Sequence, residues 1–246
     1  MKLTDNTILV TGGATGIGLA LAKRFFERGN EVIICGRRED RLAEIKEAFP
    51  EVHTRVCDVA EADQRTELAY WLISEFPALN VLVNNAGIQR RIDLTATEDW
   101  NETRSEIAIN LEAPIHLTQL LYPHLATTQE AAIMNVTSGL SFTPLANVPV
   151  YCATKAALHS FTLSLRWQLK ETELEVIEII PPAVDTDLQA PGLHTFGVNV
   201  DEFADHVFKG LEAGSVEIAY GTALAASQAS RESLDAIYER MNSTFH

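Results

Sequence analysis

Short apolar runs alternate with longer helical patterns along most of this chain, and the alternation limits the possible folds more than any other feature. Each run is short and mostly non-alternating, which is typical of strands buried on both faces of a sheet. The predicted strands are Thr7 to Val10, Glu31 to Cys35, Thr54 to Cys57, Val81 to Val83, Ala132 to Val136 and Val176 to Ile180. We therefore expect an α/β fold, with a doubly wound parallel sheet of six to seven strands and helices on both faces.

Helices are predicted between the strands from apolar residues that recur with helical spacing. These stripes are Ile17 with Leu21 and Phe25, Leu42 with Ile45 and Phe49, Leu68 with Leu72, and Ile107 with Leu111 and Ile115. Pro114 is expected to kink the last helix, since proline lacks an amide proton. A further helix should run from about Val150 to Lys170. After Val200 we expect a helix, a short strand near Val216 to Ile218 and a final helix around Leu234 to Met241.

Length and composition predict one folded domain covering residues 1–246. The chain has 246 residues, of which 46% are hydrophobic and 22% are charged, both ordinary values for a globular protein. The segment "PPAVDTDLQAPGLHTFGVN" follows the sixth strand and is rich in proline and glycine, so it is expected to form a loop. Because loops of this length often cover a site, residues 187–200 are predicted to act as a substrate lid.

Charge and cysteine content exclude several kinds of partner. The formal net charge of −15 repels polyphosphate, so we expect no nucleic acid and no attachment to anionic membranes. The first apolar run is too short for a signal peptide, and no later window is long enough to span a membrane. Cys35, Cys57 and Cys152 lie far apart without the spacing of zinc ligands, so no metal is expected. Together these features predict a cytoplasmic protein with reduced thiols.

A glycine-rich turn, "TGGATGIG", directly follows the first predicted strand and precedes the first helix. Gly12, Gly16 and Gly18 would let the backbone approach a ligand closely, while the free amides and the dipole of the helix favour phosphate. The spacing is G-x-x-x-G-x-G, which differs from that of a P-loop. With a strand before it and a helix after it, the turn predicts a dinucleotide site in a Rossmann fold.

The end of the second strand predicts which dinucleotide is bound. An acidic residue here would bond the ribose hydroxyls of NAD, but the sequence reads "ICGRRED" with Gly36 at this place. Arg37 and Arg38 follow at once, and guanidinium groups suit the 2′-phosphate of NADP. NADP(H) is therefore favoured and NAD(H) remains possible. The alternative is that the arginines pair with the acids that follow them.

The stretch "YCATK" sets the phenol of Tyr151 four residues before the ammonium of Lys155. On a helix, side chains at this spacing share one face and can act on one ligand. A free tyrosine has a pKa of about 10 and needs a neighbouring positive charge to exchange protons near neutrality. The pair is therefore a candidate acid/base site, although the same spacing also occurs by chance on helices.

Four motifs in this order give the chain a resemblance to the short-chain dehydrogenase/reductase family. They are "TGGATGIG", "NNAG" at Asn84 to Gly87, Ser138 and "YCATK", and the resemblance covers nearly the whole chain. Stretches such as "EVIICGR" and "PVYCATKAALHSF" are similar to the DltE-type oxidoreductases of Gram-positive bacteria.

The resemblance implies roles for four catalytic residues. Tyr151 would be the general acid that protonates a carbonyl oxygen during reduction, and the base in the reverse direction. Ser138 would hydrogen-bond and polarise that oxygen. Lys155 would lower the phenol pKa and bind the ribose of the nicotinamide. Asn110, in "INLEAP", matches the family asparagine that holds a water in the proton relay.

The resemblance and the motifs also imply a set of cofactor contacts. They are Gly12, Thr15, Gly16, Ile17, Gly18, Arg37, Arg38, Asp58, Val59, Asn85, Ala86, Gly87, Tyr151, Lys155, Val184 and Thr186. One departure from the family concerns "PPAVDT", where Pro182 replaces the usual glycine. Proline removes an amide and stiffens the turn, which changes the backbone next to Val184 and Thr186.

The expected activity is that of an NADP-preferring carbonyl reductase or alcohol dehydrogenase acting on a small molecule. Two alternatives remain: an epimerase or dehydratase that uses the cofactor transiently, and a non-catalytic dinucleotide sensor. Substrate contacts are expected from Gln89 and the lid. The apolar side chains after Ser138 are either a pocket wall or part of the core: Leu140, Phe142, Leu145 and Val148. Family members commonly form homodimers or homotetramers, and the resemblance implies the same here.

Overall fold

The computed structural model of the chain describes residues 1–96, 99–188, 192 and 194–243. Its strands are β1 (Thr7–Thr11), β2 (Glu31–Gly36), β3 (His53–Val56), β4 (Leu79–Asn84), β5 (Ala132–Val136), β6 (Glu175–Ile180) and β7 (Glu217–Ala219). Its α-helices are α1 (Gly16–Glu27), α2 (Glu39–Ala48), α3 (Ala62–Glu75), α4 (Trp100–Ile107), α5 (Ala113–Leu125), α6 (Pro149–Gln168), α7 (Val200–Glu212), α8 (Gly221–Ser227) and α9 (Arg231–Asn242). All the predicted strands are confirmed, with ends that differ by no more than two residues.

The strands form one parallel sheet in the order β3-β2-β1-β4-β5-β6-β7. The chain therefore winds outward from β1 in one direction and then outward from β4 in the other. In such sheets ligands bind at the carboxyl ends of the strands, where the strand order reverses. Here that point lies between β1 and β4, which are followed by the glycine turn and by the "NNAG" segment. The doubly wound α/β fold predicted from the sequence is confirmed.

Two apolar cores cover the two faces of the sheet, because successive strand residues point to opposite sides. On one face, Phe25 of α1 and Phe208 of α7 pack with their ring centroids 4.7 Å apart. On the other face, Leu72 of α3, Leu121 of α5 and Leu165 of α6 pack on the sheet. Strand residues with apolar neighbours on both sides explain why the runs in the sequence are continuous rather than alternating.

Helices α4 and α5 are joined without a break by a π-helical turn, Ala108–Glu112. The amide of Ala113 donates to the carbonyl of Ala108, five residues earlier. Pro114 has no amide proton to offer the carbonyl of Asn110, four residues before it. The irregularity expected at Pro114 is thus a wider helical turn that begins before the proline.

The segment after β6 is held by a short bridge rather than by a strand. Val184 pairs with Val198, and the amide of Asp185 donates to the carbonyl of Val198 at 2.8 Å. Residues 189–191 and 193 of the predicted lid lie outside the described residues. Helix α8 was not predicted from the sequence, because "GTALAAS" lacks a long apolar stripe. Among the described helices, none has both the length and the apolar character needed to cross a membrane.

Candidate active site

The glycine turn after β1 builds an anion site at the start of α1. Gly12 and Gly16 have φ values of +64° and +54°, a region that favours glycine. Thr15 precedes the helix in an extended conformation without a side-chain cap, and the first turn contains no acidic residue. The first amides of a helix have no partner inside it, so those of α1 are available to an anion. A pyrophosphate fits this turn.

Asn85 connects the glycine turn to the end of β4. Its side-chain amide donates to the carbonyl of Thr11 at 2.9 Å and to that of Gly12 at 3.3 Å. The hydroxyl of Thr11 in turn accepts from the amides of Asn85 and Ala86 at 3.0 and 3.1 Å. A Cβ atom on Gly18 would lie 2.3 Å from the Asn85 side-chain nitrogen, so only glycine fits there. Asn85, predicted as a cofactor contact, thus also fixes the turn.

A cleft of about 450 Å³ opens above the carboxyl ends of β1 and β4. Most of the predicted cofactor contacts line it: Gly12, Thr15, Gly16, Ile17, Gly18, Arg37, Arg38, Asp58, Val59, Asn85, Ala86, Gly87, Tyr151, Lys155 and Thr186. Gln89 lines it as well, as do Asp187 and Leu188 from the start of the predicted lid. Val184 is not part of the lining; its side chain is buried beside the bridge to Val198.

The two arginines after β2 face this cleft and are not neutralised by the acids that follow them. Arg38 donates to the hydroxyl of Thr15 at 2.9 Å, and Arg41 takes Glu44 as its partner at 2.8 Å. Within the described parts of the chain, neither Arg37 nor Arg38 forms an ion pair. A Cβ atom on Gly36 would have no neighbour within 4 Å, so there is room for a phosphate. The residues present fit a 2′-phosphate.

Tyr151 and Lys155 lie in the first turns of α6 and are both buried. The phenol lies beside Ser138, which follows β5 and whose interaction with the phenol lowers the pKa of Tyr151. The ammonium of Lys155 donates to the carbonyl of Val136 at 2.8 Å and lies 5.7 Å from the centre of the Tyr151 ring. Tyr151 and Lys155 therefore line the cleft together, and Ser138 lies next to Tyr151 without lining it.

Asn110 lies in the π-helical turn and is bonded to the segment after β4. Its side chain accepts from the amide of Ile88 at 2.9 Å and donates to the carbonyl of the same residue at 2.8 Å. A Cβ atom on Gly87 would lie 3.4 Å from the Asn110 oxygen and 3.6 Å from the Lys155 nitrogen. Asn110 and Lys155 therefore border the same small space next to Gly87.

Comparison with known proteins identifies the family. The profile of the family described as short chain dehydrogenase matches residues 6–195. The chain belongs to the short-chain dehydrogenase family. It is 52% identical over 248 residues, 98% of either chain, to the uncharacterized oxidoreductase DltE of Bacillus subtilis strain 168. The resemblance noted in the sequence is confirmed, and the protein is an oxidoreductase.

Solved structures support the same assignment. A short-chain dehydrogenase from Burkholderia cenocepacia J2315, in complex with NADP, has a TM-score of 0.84 and 27% identity over 97% of this chain and 99% of its own. A family member from Burkholderia phymatum, in complex with NAD, has a TM-score of 0.85 over 96% of both chains. At 20% identity the second likeness concerns the fold alone.

Burial dominates the protonation of the site in this short-chain dehydrogenase. Desolvation raises the pKa of Tyr151, although the interaction with Ser138 opposes this shift. Desolvation lowers the pKa of Lys155 to about 8, while the nearby Glu106 carboxylate opposes this shift. The lowering of the phenol pKa by Lys155, which the family resemblance implies, stays a prediction.

Glu106 is a buried carboxylate at the site that was missed in the sequence. It is fully buried, and burial raises its pKa to about 7. One carboxylate oxygen accepts from the amide of Arg90 at 3.3 Å. Its place one helical turn before Asn110 was the available signal, since residues at i and i+4 share a face. The described residues contain no group of His, Cys, Asp or Glu that could hold a metal ion.

The apolar side chains after Ser138 divide between two apolar clusters. Leu140 and Leu145 pack against the cluster that contains Tyr151. Phe142 packs instead against Ile180 of β6 and Ala223 in the first turn of α8. None of the four predicted side chains lines the cleft, so the contacts show core packing and the pocket wall stays a prediction.

Gly18→Ala is expected to weaken NADPH binding by about ten- to a hundredfold, because the methyl group displaces Asn85 or the carbonyl of Gly12. Fluorescence titration with NADPH measures this effect. Glu27→Ala, at an exposed position of the same helix, is the control and should bind as the native protein does. Unchanged binding by a folded Gly18→Ala protein would contradict the role given to this close contact.

Proposed function

We propose that this protein is an NADP-preferring oxidoreductase that reduces the carbonyl group of an aldehyde or ketone to an alcohol, or catalyses the reverse reaction. The main support is that the buried phenol of Tyr151 lines the cleft and lies beside the hydroxyl of Ser138, which lowers its pKa. Two hydroxyl groups that converge on one point can both bond a single carbonyl oxygen. Neither a sensor nor a simple binding protein needs this arrangement.

Tyr151 is the proton donor in this proposal. Burial favours the neutral phenol, so the proton remains on Tyr151 until an oxygen with developing negative charge accepts it. Ser138 donates to the same oxygen and stabilises that charge in a site with little water. When bound, the nicotinamide supplies or removes the hydride.

Lys155 and Asn110 support the donor. The ammonium of Lys155 would bind the ribose hydroxyls and favour the phenolate that forms when Tyr151 loses its proton. The carbonyl of Asn110, which Pro114 leaves without a donor four residues later, would hold a water that returns a proton to Lys155. These roles follow the family pattern, residue by residue.

The remaining contacts hold the two ends of the cofactor. The pyrophosphate would be bound by the glycine turn, through Gly12, Thr15, Gly16, Ile17 and Gly18, and by Thr186 on the opposite side. The adenine would contact Asp58 and Val59. Asn85, Ala86 and Gly87 would line the nicotinamide half, and Val184 would contribute through its backbone. Arg37 and Arg38 would bind the 2′-phosphate. Neither arginine has an ion-pair partner among the described residues, which supports NADP, as does the NADP complex of the relative from Burkholderia cenocepacia.

The substrate would enter between the apolar side chains after Ser138 and the segment 187–200, which we propose as its lid. We propose that residues 1–246 form a single dinucleotide-binding domain. The substrate is a small carbonyl or alcohol compound, with Gln89 as a further contact.

Tyr151→Phe is expected to lower kcat by about a hundred- to ten-thousandfold, because it removes the general acid and keeps the ring. The assay follows NADPH and NADH oxidation with a panel of aldehydes, ketones and diketones. Affinity for NADPH should stay nearly unchanged. Tyr70→Phe, at an exposed position of α3, is the matched control and should react as the native protein does.

Two results would contradict this proposal. Full activity of Tyr151→Phe would exclude the tyrosine as donor. Tight NADPH binding without turnover of any compound in the panel would count against a carbonyl reductase and favour a sensor.

Replacing Arg37 and Arg38 by alanine is expected to lower the ratio of NADPH to NADH affinity by about ten- to a hundredfold for each lost phosphate contact. NADH affinity should change little, since NAD carries no 2′-phosphate. Titration of each variant with both nucleotides measures the ratio. Arg41→Ala is the matched control, because Arg41 is engaged by Glu44. An unchanged ratio would remove the basis of the NADP assignment.

We further propose a cytoplasmic homodimer or homotetramer that assembles through α4, α5 and α6. The exposed apolar side chains on these helices support it: Trp100 is 64% exposed and Trp167 71% exposed. Sedimentation velocity is expected to give twice or four times the chain mass. A monomer at micromolar concentration would contradict the assembly without affecting the proposed chemistry.

A further inference from the structure

Strand β6 carries a charged residue at a position where the sheet is completely buried. Glu178 is 0% exposed and lies between apolar neighbours in "EVIEII". A buried carboxylate is costly unless it is paired and hydrogen-bonded. None of the steps described above uses Glu178, so its presence there needs another explanation.

The carboxylate of Glu178 bonds two elements at once. One of its oxygens accepts from the hydroxyl of Thr137 at 2.7 Å. The same oxygen lies 2.9 Å from Nδ1 of His159, and the other carboxylate oxygen lies 3.0 Å from it. The bond with Glu178 raises the pKa of His159, and burial opposes that shift. The pair is therefore charge-assisted when His159 is protonated.

These two partners are connected to the two hydroxyls of the proposed site. Thr137 directly precedes Ser138 at the end of β5, and His159 lies two helical turns after Tyr151 on α6. The Tyr151 and Ser138 hydroxyls belong to different elements and must meet within hydrogen-bond distance. Glu178 is the carboxylate that joins those elements.

Helix α6 is docked on the sheet by further polar side chains from the same face. Lys155 donates to the carbonyl of Val136 at 2.8 Å, and Thr162 accepts from the side chain of Asn135 at 2.9 Å. Arg166 donates to Glu217 at 2.7 Å. Asn135, Glu178 and Glu217 are neighbours in sheet register on β5, β6 and β7. Since hydrogen bonds are directional and apolar packing is not, these contacts define one register of the helix over the strands.

We propose that Glu178 is a positioning residue, whose carboxylate holds α6 and the end of β5 in the register that brings Tyr151 and Ser138 together. Its effect on catalysis rests on the proposed function. Its effect on the position of α6 does not, and can be measured without a substrate.

Cys152 reports the position of α6, because it follows Tyr151 and is buried against the carbonyl of Leu145. Glu178→Met keeps a similar volume and removes the acceptor. This change is expected to increase the alkylation rate of Cys152 by iodoacetamide several-fold, as measured by mass spectrometry of the apoprotein. Cys35 on β2 and Cys57, which follows β3 and borders the cleft, are buried at the other end of the sheet and should label as in the native protein. Glu47→Met, at an exposed position of α2, is the matched control and should label as the native protein does.

A second pair of variants covers the case in which Glu178→Met does not fold. Thr137→Val removes the hydroxyl and nearly keeps the shape, so it is expected to increase Cys152 labelling in the same direction. Thr137→Ser keeps the hydroxyl and should restore protection. Unchanged labelling of Cys152 in the folded variants would overturn the proposal. Equal increases at all three cysteines would also overturn it, because they would indicate general unfolding.

Turnover tests the catalytic part separately. With a substrate that the native protein accepts, Glu178→Met is expected to lower kcat by about ten- to a hundredfold, with unchanged NADPH affinity, since small misplacements of catalytic groups have effects of this size. Increased Cys152 labelling with normal kcat would overturn the catalytic part. A native protein that reduces no carbonyl would contradict the proposed function, and labelling alone would then decide whether Glu178 positions α6.

Discussion

The bonds from Asn85 to the backbone of Thr11 and Gly12 connect the two loops between which the strand order reverses. The glycine turn follows β1 and the "NNAG" segment follows β4, so each loop alone would be free to move away from the other. A side-chain amide that donates to both backbone carbonyls prevents this. The bonds are possible only because Gly18 leaves room for Asn85, so the helix start, the turn and the neighbouring loop depend on one close contact.

A second constraint acts on the other side of β4, where the two hydroxyls of the proposed site come from different elements. Apolar packing on its own would hold α6 against the sheet but would tolerate sliding, since it has no preferred direction. The polar face of α6 removes this freedom through Lys155, His159, Thr162 and Arg166. Desolvation of these groups costs stability, and the bonds they form offset part of it. The face of α6 that packs on the sheet is thus less apolar than packing alone would favour.

The strands and most helices could be predicted because their signals are local. An apolar run such as "AIMNV" contains its own evidence for a buried strand, and the exact ends of β5 were obtained from it. The glycine turn and the pair of Tyr151 and Lys155 are also local, since each lies within eight residues. Spacing and context predicted a dinucleotide site and a candidate acid/base pair, whereas the individual roles of Tyr151 and Lys155 came from the family resemblance. The contacts between them are long-range and had no signal in the sequence.

The features that could not be predicted from the sequence depend on contacts between different elements of the fold. Glu178 lies in a strand that the sequence predicts to be buried, where a charge within an apolar run indicates a buried partner. That partner, His159, lies on α6 and is identified only by the folded structure. The π-helical turn has a similar origin, because Pro114 could be seen in the sequence but the bonds from Asn110 to Ile88 could not.

Burial also affects which protonation states the proposed site favours. Desolvation acts against charge on both members of the pair, since it raises the pKa of Tyr151 and lowers that of Lys155 to about 8. A phenol whose neutral form is favoured carries the proton that carbonyl reduction needs, although its raised pKa also makes it a weaker acid. The reverse reaction needs the phenolate, which must be stabilised by a positive charge brought close to it. Lys155 lies near the Tyr151 ring, but its ammonium donates a hydrogen bond to the carbonyl of Val136. Stabilisation of the phenolate therefore depends on how close the ammonium comes to the phenol oxygen.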